Sequence, residues 1–267
     1  MWNDYRGKAV LITGGTKGIG LATGLAFGRQ GAECTLTSKW GSADEGEIRA
    51  AFEKAGAPPP RIVEADVANN DDTMQLLADM KQRHGHIEAF ISNVGYGAVV
   101  KELSDYKLRS LFTSIEYSAW PMVEYTRRIK EVFGKYPRYV VGLSSGGPDH
   151  YHTNYDFVAA SKAVLETFCK YLGYRLFDED VRINVLRARF VKTESLKATL
   201  GEEFLPFVER FDKTHPWVSL EDTASSILGL CSGLMDGVSG QIITLDHGAF
   251  FSDNLMRIYA ERESLDY

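Results

Sequence analysis

The sequence lacks the features that would mark a secreted, membrane-spanning or nucleic-acid-binding protein. Its cysteines, Cys34, Cys169 and Cys231, are odd in number, widely spaced and without a Cys-x-x-Cys pair, so we expect reduced core thiols in a cytoplasmic protein. No apolar run reaches the ~18 residues that a membrane helix needs, and the N-terminal segment lacks the apolar stretch of a signal peptide. The net charge of −6 argues against nonspecific binding to nucleic acid or anionic membranes.

A glycine-rich turn near the start of the chain is the first positive signal. The continuous apolar run Lys8–Thr13 predicts a buried parallel strand. Gly14-Gly15-Thr16-Lys17-Gly18-Ile19-Gly20 follows it, and a helical pattern then runs to Arg29. This order predicts a βα unit in which the turn and the helix N-terminus bind a phosphate group. The alternative is a tight turn that only packs a helix on a sheet.

The second predicted strand, Glu33–Thr37, lacks the acidic residue that usually follows it in NAD-specific proteins. Ser38 offers a hydroxyl there, and Lys39 together with Lys17 offers positive charge. This set favours the 2′-phosphate of NADP(H), although both lysines could equally be solvated surface residues. Trp40 is a candidate cover for the adenine or an exposed loop residue.

Tyr155 and Lys162 are the candidate catalytic pair. They lie seven residues apart, which on a helix is nearly two turns and ~10 Å, so both side chains leave the same face. Thr153 and Asp156 have capping-box-like spacing, which predicts a helix start just before Tyr155. An ammonium near a phenol favours the phenolate and so lowers the tyrosine pKa. The alternative is two ordinary helix residues.

The motif Gly14-x-x-x-Gly18-x-Gly20 resembles the cofactor motif of short-chain dehydrogenases/reductases, and the resemblance extends from about Gly7 to Gly248. We therefore predict one doubly wound α/β domain of the Rossmann type over residues 1–267. It should hold a parallel sheet of about seven strands, helices on both faces and the ligand at the carboxyl ends of the strands.

The resemblance also implies roles for residues at the ends of later strands. Asp66 and Val67 would contact the adenine, although Asp66 could instead cap the helix that begins near Asn70–Asp72. Asn93 and Gly95 would lie beside the nicotinamide ribose, and Val191 and Thr193 would bind the carboxamide. Ser145, seventeen residues before Lys162, matches the serine that hydrogen-bonds the substrate oxygen.

Position 158 indicates the branch of the family. Most members carry the catalytic tyrosine there, four residues before the lysine, but this chain has Val158. The Tyr155-x6-Lys162 spacing resembles the enoyl-acyl-carrier-protein reductases and related enoyl-thioester reductases. Two departures stand out: Ser114 replaces the asparagine that holds a relay water, and Arg189 replaces a glycine beside the nicotinamide.

Three further segments have predicted roles. Residues 194–217 are expected to form a substrate lid, with Phe204, Phe207 and Phe211 on one helix face, or merely to cover the sheet. Residues 249–267 form an amphipathic tail that packs on a neighbouring subunit or closes the pocket. Ser104–Phe133 reads as one long helix, which in the resembling family forms an oligomer contact with the Tyr155 helix; Trp120, Met122 and Val123 are candidates for that contact.

These residues together predict an NADPH-dependent reductase acting on an α,β-unsaturated thioester, with a homo-oligomeric assembly (dimer or tetramer). Tyr155 would protonate the enolate oxygen, Lys162 would hold the ribose hydroxyls, and Ser145 would be a second hydrogen-bond donor. The alternatives are a ketoreductase of specialised metabolism and a non-catalytic nucleotide-binding sensor or scaffold. No metal is expected, because the pair His150 and His152 lacks a third ligand at motif spacing.

Overall fold

The computed structural model describes residues 4–39, 43–211, 217–251, 253–260 and 262–263. Seven parallel strands form one sheet in the order β3-β2-β1-β4-β5-β6-β7. The strands are β1 (Ala9–Thr13), β2 (Glu33–Ser38), β3 (Arg61–Glu64), β4 (Ile87–Ser92), β5 (Tyr139–Ser145), β6 (Arg182–Ala188) and β7 (Ile242–Leu245). The order reverses at β1, which pairs with both β2 and β4, so a ligand crevice is expected beyond the carboxyl ends of β1 and β4.

Helices connect the strands and cover both faces of the sheet. They are α1 (Gly18–Arg29), α2 (Glu45–Lys54), α3 (Asn70–Lys81), α4 (Leu108–Ser118), α5 (Trp120–Phe133), α6 (Asp156–Arg175), α7 (Glu194–Leu200), α8 (Phe204–Phe211), α9 (Leu220–Leu230) and α10 (Asn254–Ala260). One core joins the sheet to Phe27, Phe52 and Ile227 of α1, α2 and α9. The other joins it to side chains of α3, α5 and α6. The predicted doubly wound fold of the Rossmann type is confirmed.

The predicted helix over Ser104–Phe133 is wrong in one respect, since it is two helices. A short 3-10 turn spans Leu103–Asp105, and the helical segment breaks at Ala119, between α4 and α5. Pro121 lies at the start of α5 and has no N–H to continue the hydrogen-bond ladder of α4. Met122 of α5 is fully buried and Trp120 is partly exposed, so Met122 belongs to the core rather than to a surface.

The start of α6 also differs from the prediction. Tyr155 itself is the N-cap of α6 and no side chain caps the helix, so the Thr153–Asp156 capping box does not form. Asn154 adopts a left-handed conformation with φ of 64°, which turns the chain immediately before the helix. Asp156 instead accepts a hydrogen bond from the Tyr106 hydroxyl.

The remaining expectations concern the thiols, membrane-spanning helices and residues that the structure does not describe. Cys34, Cys169 and Cys231 are buried and form no disulfide with one another. Across the described ranges, no helix combines the length and apolarity needed to cross a bilayer. Trp40 and residues 212–216 lie outside the described residues.

Candidate active site

The glycine turn after β1 is packed too tightly for side chains. Gly14 has φ of +63°, and a Cβ atom on Gly20 would lie 2.2 Å from the Gly14 carbonyl oxygen. The amide of Asn93, at the end of β4, donates to the Gly14 carbonyl at 2.8 Å. Asn93 and the glycines Gly14 and Gly20 therefore form one unit that locks the turn to the neighbouring strand.

The N-terminus of α1 is open towards solvent. Lys17 is its N-cap and makes no side-chain cap, and the first turn holds no acidic residue. Ile19 is half-buried in this first turn, Thr16 is buried, and the Lys17 side chain is exposed. A Cβ atom on Gly18 would lie 3.5 Å from the Thr193 methyl group. The uncapped N–H groups of the helix are therefore suited to bind an anion, and Thr193 lies beside Gly18.

A lysine, a carboxylate and a phenol meet beyond the ends of β2 and β3. The Lys39 ammonium lies 2.6 Å from Asp66 Oδ2 and donates to the Tyr117 hydroxyl at 2.6 Å. Tyr117 also donates to Asp66 Oδ2 at 3.1 Å. Ser38 and Val67 are buried beside this cluster. The N-cap of α3 is Asn69, so the alternative role of Asp66 as that cap is wrong.

The candidate catalytic residues come together at the end of β5. The Tyr155 hydroxyl donates to Ser145 Oγ at 3.1 Å. The Lys162 ammonium is buried and donates to the Leu143 carbonyl at 2.7 Å. A Cβ atom on Gly95 would lie 3.6 Å from Lys162 Nζ, so the turn after β4 adjoins the lysine. A phenol, a hydroxyl and an ammonium therefore share the carboxyl edge of the sheet.

The pKa of Tyr155 differs from the prediction. Burial raises the pKa of this phenol, and the hydrogen bond with Ser145 only partly opposes the shift. Burial also lowers the pKa of Lys162 to about 8, against a smaller opposite effect of Glu166. The expected lowering of the tyrosine pKa by Lys162 is therefore wrong, because loss of solvent dominates at both groups.

A largely buried ion pair joins the helix that carries Lys162 to β6. Glu166, one turn after Lys162, accepts from the Ser144 hydroxyl at 2.6 Å and from Arg187 Nη2 at 2.6 Å. Arg187 also binds Asp149, in the loop before α6. Sequence reasoning missed this network; the available signal was Arg187, a charged residue within the apolar strand β6.

Aromatic rings form a connected series that begins at Tyr155. The ring of His152 lies 5.3 Å from the Tyr155 ring and 5.2 Å from that of Phe190. Phe204 and Trp217 pack against Phe190 at 5.2 and 6.3 Å. We call His152, Phe190, Phe204 and Trp217 the ring wall. It links Phe204 and Trp217, which belong to the predicted lid, to the phenol through Phe190 and His152.

Three further residues predicted to matter, Arg189, Phe250 and Phe207, lie on the segments around the ring wall. Arg189 stacks on Phe190, with 5.7 Å from its guanidinium carbon to the ring centroid. Phe250, from the tail, stacks on His150 at 4.3 Å. Phe207 is 60% exposed while Phe204 packs inwards, so the predicted single phenylalanine face of α8 is not formed by these two; the Phe211 side chain is outside the described residues.

Two other predicted site residues, Ser114 and Val191, are held by contacts within the protein. Ser114 is buried, and its hydroxyl donates to the Ser110 carbonyl of its own helix. Val191 is buried and forms a bridge with Val218. In the part of the chain that the structure describes, no three His, Cys, Asp or Glu side chains cluster as metal ligands would.

Comparison with known proteins agrees with this geometry. Residues 14–249 match the family described as enoyl-(acyl carrier protein) reductase. The NADH-dependent enoyl-[acyl-carrier-protein] reductase of Aquifex aeolicus is 24% identical over 97% of this chain and 96% of its own length. The 1-cyclohexenylcarbonyl-CoA reductase of Streptomyces collinus is 25% identical over 93% and 91%, respectively.

A solved structure shows the same fold. The crystal structure of the enoyl-[acyl-carrier-protein] reductase of Aquifex aeolicus superposes with a TM-score of 0.80 at 22% identity, covering 94% of this chain and 99% of that one. The family match spans most of the chain, so the predicted resemblance is confirmed. The chain belongs to the enoyl-(acyl carrier protein) reductase family of short-chain dehydrogenases/reductases and is an oxidoreductase of that type.

Proposed function

We propose that this protein is an NADPH-dependent reductase of α,β-unsaturated thioesters carried by an acyl carrier protein or coenzyme A. The observation that carries the proposal is the hydrogen bond from Tyr155 to Ser145, at the same edge of the sheet as the glycine turn and Lys162. The names of the Aquifex and Streptomyces relatives, both enoyl-thioester reductases, support the substrate class.

The chain's residues fit a dinucleotide. The uncapped start of α1, free of acidic residues, is suited to the pyrophosphate, and Asn93, Gly95, Val191 and Thr193 would border the nicotinamide half. When bound, the reduced nicotinamide supplies a hydride to the β-carbon of the substrate.

Tyr155 and Ser145 would act on the thioester oxygen. Because burial raises the pKa of Tyr155, the phenol keeps its proton at neutral pH and can donate it. As negative charge grows on the substrate oxygen, the hydroxyls of Tyr155 and Ser145 would stabilise it, and Tyr155 would protonate the enolate. Lys162 would hold the ribose hydroxyls and keep positive charge nearby.

Lys39 supports NADPH as the preferred cofactor. Its ammonium lies at the end of β2, where no acidic residue of that strand opposes a 2′-phosphate. Asp66 already neutralises part of this charge at 2.6 Å, so the preference over NADH rests on the hydroxyl of Ser38 and the exposed Lys17 as well.

Reduction of a ketone is the second candidate. A hydrogen-bonded pair of hydroxyls, Tyr155 and Ser145, is also the arrangement that a carbonyl oxygen needs for protonation to an alcohol. Residues 194–217, with α7 and α8, are proposed as the lid over either substrate.

Parallel assays of NADPH oxidation with crotonyl-CoA and acetoacetyl-CoA would test the proposal. We expect turnover of the crotonyl thioester. The Tyr155→Phe variant should bind NADPH nearly as tightly but lose about a hundredfold to ten-thousandfold in turnover, and Tyr151→Phe, whose ring is 85% exposed, is the matched control. Full activity of Tyr155→Phe would rule out the proton donor, and NADPH binding without turnover of either thioester would favour a non-catalytic sensor.

A further inference from the structure

We propose that the substrate carries a flat ring next to its reacting bond, and that the ring wall selects it over a straight alkyl chain. The inference rests on the proposed function, because it takes the reduced bond to lie at the Tyr155 hydroxyl. It concerns the part of the substrate that extends beyond that bond.

The ring wall begins at the catalytic phenol. His152 joins Tyr155 to Phe190, with centroid distances of 5.3 and 5.2 Å, and Phe204 continues the series 5.2 Å farther on. Trp217 closes it, 6.3 Å from Phe190 and 6.4 Å from Phe204. The rings come from the loop before α6, the segment after β6, the start of α8 and the segment before α9. Four separate segments thus contribute rings to one connected series that begins at the phenol.

These rings retain accessible surface. His152, Phe190, Phe204 and Trp217 are each half-buried, unlike the fully buried rings of the core such as Phe27 and Phe90. Surface left exposed beside a reacting centre is available to a substrate group.

The chemistry of the wall suits a planar group. Aromatic rings bind one another in offset or edge-to-face contacts that add to the effect of buried area, whereas a flexible alkyl chain gains only from burial and loses rotational freedom. Burial lowers the pKa of His152, so its ring is neutral at pH 7 and presents one N–H donor and one acceptor. An aryl group with a hydroxyl or carbonyl substituent therefore fits this wall.

Inhibition by product-like thioesters measures the selectivity without the chemical step. We would compare inhibition constants of 3-phenylpropanoyl-CoA, 3-cyclohexylpropanoyl-CoA and hexanoyl-CoA against crotonyl-CoA reduction, and against acetoacetyl-CoA reduction if only that thioester is turned over. The phenyl compound should bind about tenfold more tightly than the cyclohexyl compound, which has similar size but no aromatic ring.

Variants separate the wall from general apolar burial. Phe190→Leu and Trp217→Leu, on different segments, should each reduce the phenyl-to-cyclohexyl ratio severalfold while NADPH binding stays unchanged. Tyr151→Leu, in the same loop as His152 but 85% exposed, should leave the ratio unchanged. Thermal melting checks that each variant folds. The phenyl-to-cyclohexyl ratio of inhibition constants measured with one folded wall variant is enough for the test.

The outcomes distinguish the two proposals. Turnover of a thioester together with equal inhibition by the phenyl and cyclohexyl compounds, or a ratio that neither wall variant alters, overturns the ring selectivity and leaves the reductase function intact. Absence of turnover with every thioester overturns the reductase function. In that case the change in fluorescence of bound NADPH on titration with each of the three inhibitors still gives their affinities, and equal affinities overturn the ring wall as a binding surface.

Discussion

Lys162 holds a charge where water is largely excluded, with 6% of its surface exposed. Its pKa falls to about 8. At neutral pH the protonated ammonium therefore destabilises the folded state. The resulting destabilisation is fully present below pH 8, decreases as pH rises, and is gone above the ordinary lysine pKa of 10.5.

We therefore predict that Lys162→Met unfolds at higher denaturant concentration than the parent at pH 7, by up to about 3 kcal/mol in the free energy of unfolding. The lost hydrogen bond to the Leu143 carbonyl reduces this gain. Urea titrations at pH 7 and 10 would measure it, and the gain should shrink at the higher pH. If the gain in stability over the parent were smaller at pH 7 than at pH 10, the burial argument would be contradicted. Activity should be lost at both pH values.

Lys39 is predicted to contribute to the binding of NADPH more than to that of NADH. Lys39→Ala should weaken NADPH binding about two- to fivefold while NADH binding changes little, because only NADPH brings a phosphate to this position. Titration of both cofactors by nicotinamide fluorescence would test this, with Lys54→Ala, at the end of α2, as the control. An equal loss for both cofactors would assign Lys39 to the structural cluster with Asp66 alone.

The pair Glu166–Arg187 acts between elements, joining α6 to β6 and, through Asp149, to the loop before α6. Arg187→Met would leave a buried carboxylate without its partner, which typically costs about 3–5 kcal/mol. The double variant Glu166→Leu/Arg187→Met should recover most of that loss, since no charge remains buried. Denaturant unfolding of the three proteins measures the difference, and a double variant no more stable than Arg187→Met would show that the pair is not the cause.

Local rules explain which elements could be predicted. The strand, turn and helix around Gly14 follow from contiguous residues, and the spacing of Ser145, Tyr155 and Lys162 indicated a shared site. The break at Ala119 was missed because the apolar pattern continues through it and only Pro121 marks it.

Contacts between distant segments could not be predicted from spacing. The pairing of Glu166 with Arg187 joins residues 21 positions apart, and the helix cap expected at Thr153 gave way to the left-handed Asn154. The pKa of Tyr155 depended on burial, which the sequence pattern did not show. The direction of its pKa shift was therefore mistaken, while the role of Tyr155 as proton donor stays a prediction.

At the scale of the whole molecule, apolar side chains remain on the outer surface of neighbouring helices. Phe112 of α4 is 60% exposed and Tyr171 of α6 is 64% exposed, and these are the helices for which the family resemblance implies an oligomer contact. We propose that a second copy of this chain covers them, because burying such a surface is favourable.

Phe112→Asp should shift the protein towards monomer, since a buried carboxylate at that contact would be costly. Light scattering after size-exclusion chromatography would show the change in mass. Glu53→Lys, an exposed charge change on α2, which packs on the opposite face of the sheet, is the comparison. A parent protein that is monomeric at every concentration would refute the assembly.

The cluster of Lys39, Asp66 and Tyr117 has a consequence for the entropy of nucleotide binding. A lysine at the end of a strand normally samples many rotamers and must surrender them when it meets an anion. Here two partners from other segments already restrain the ammonium. The rotamer entropy of Lys39 is therefore lost during folding and not on binding. An arriving dinucleotide meets an oriented cation and loses less entropy on binding.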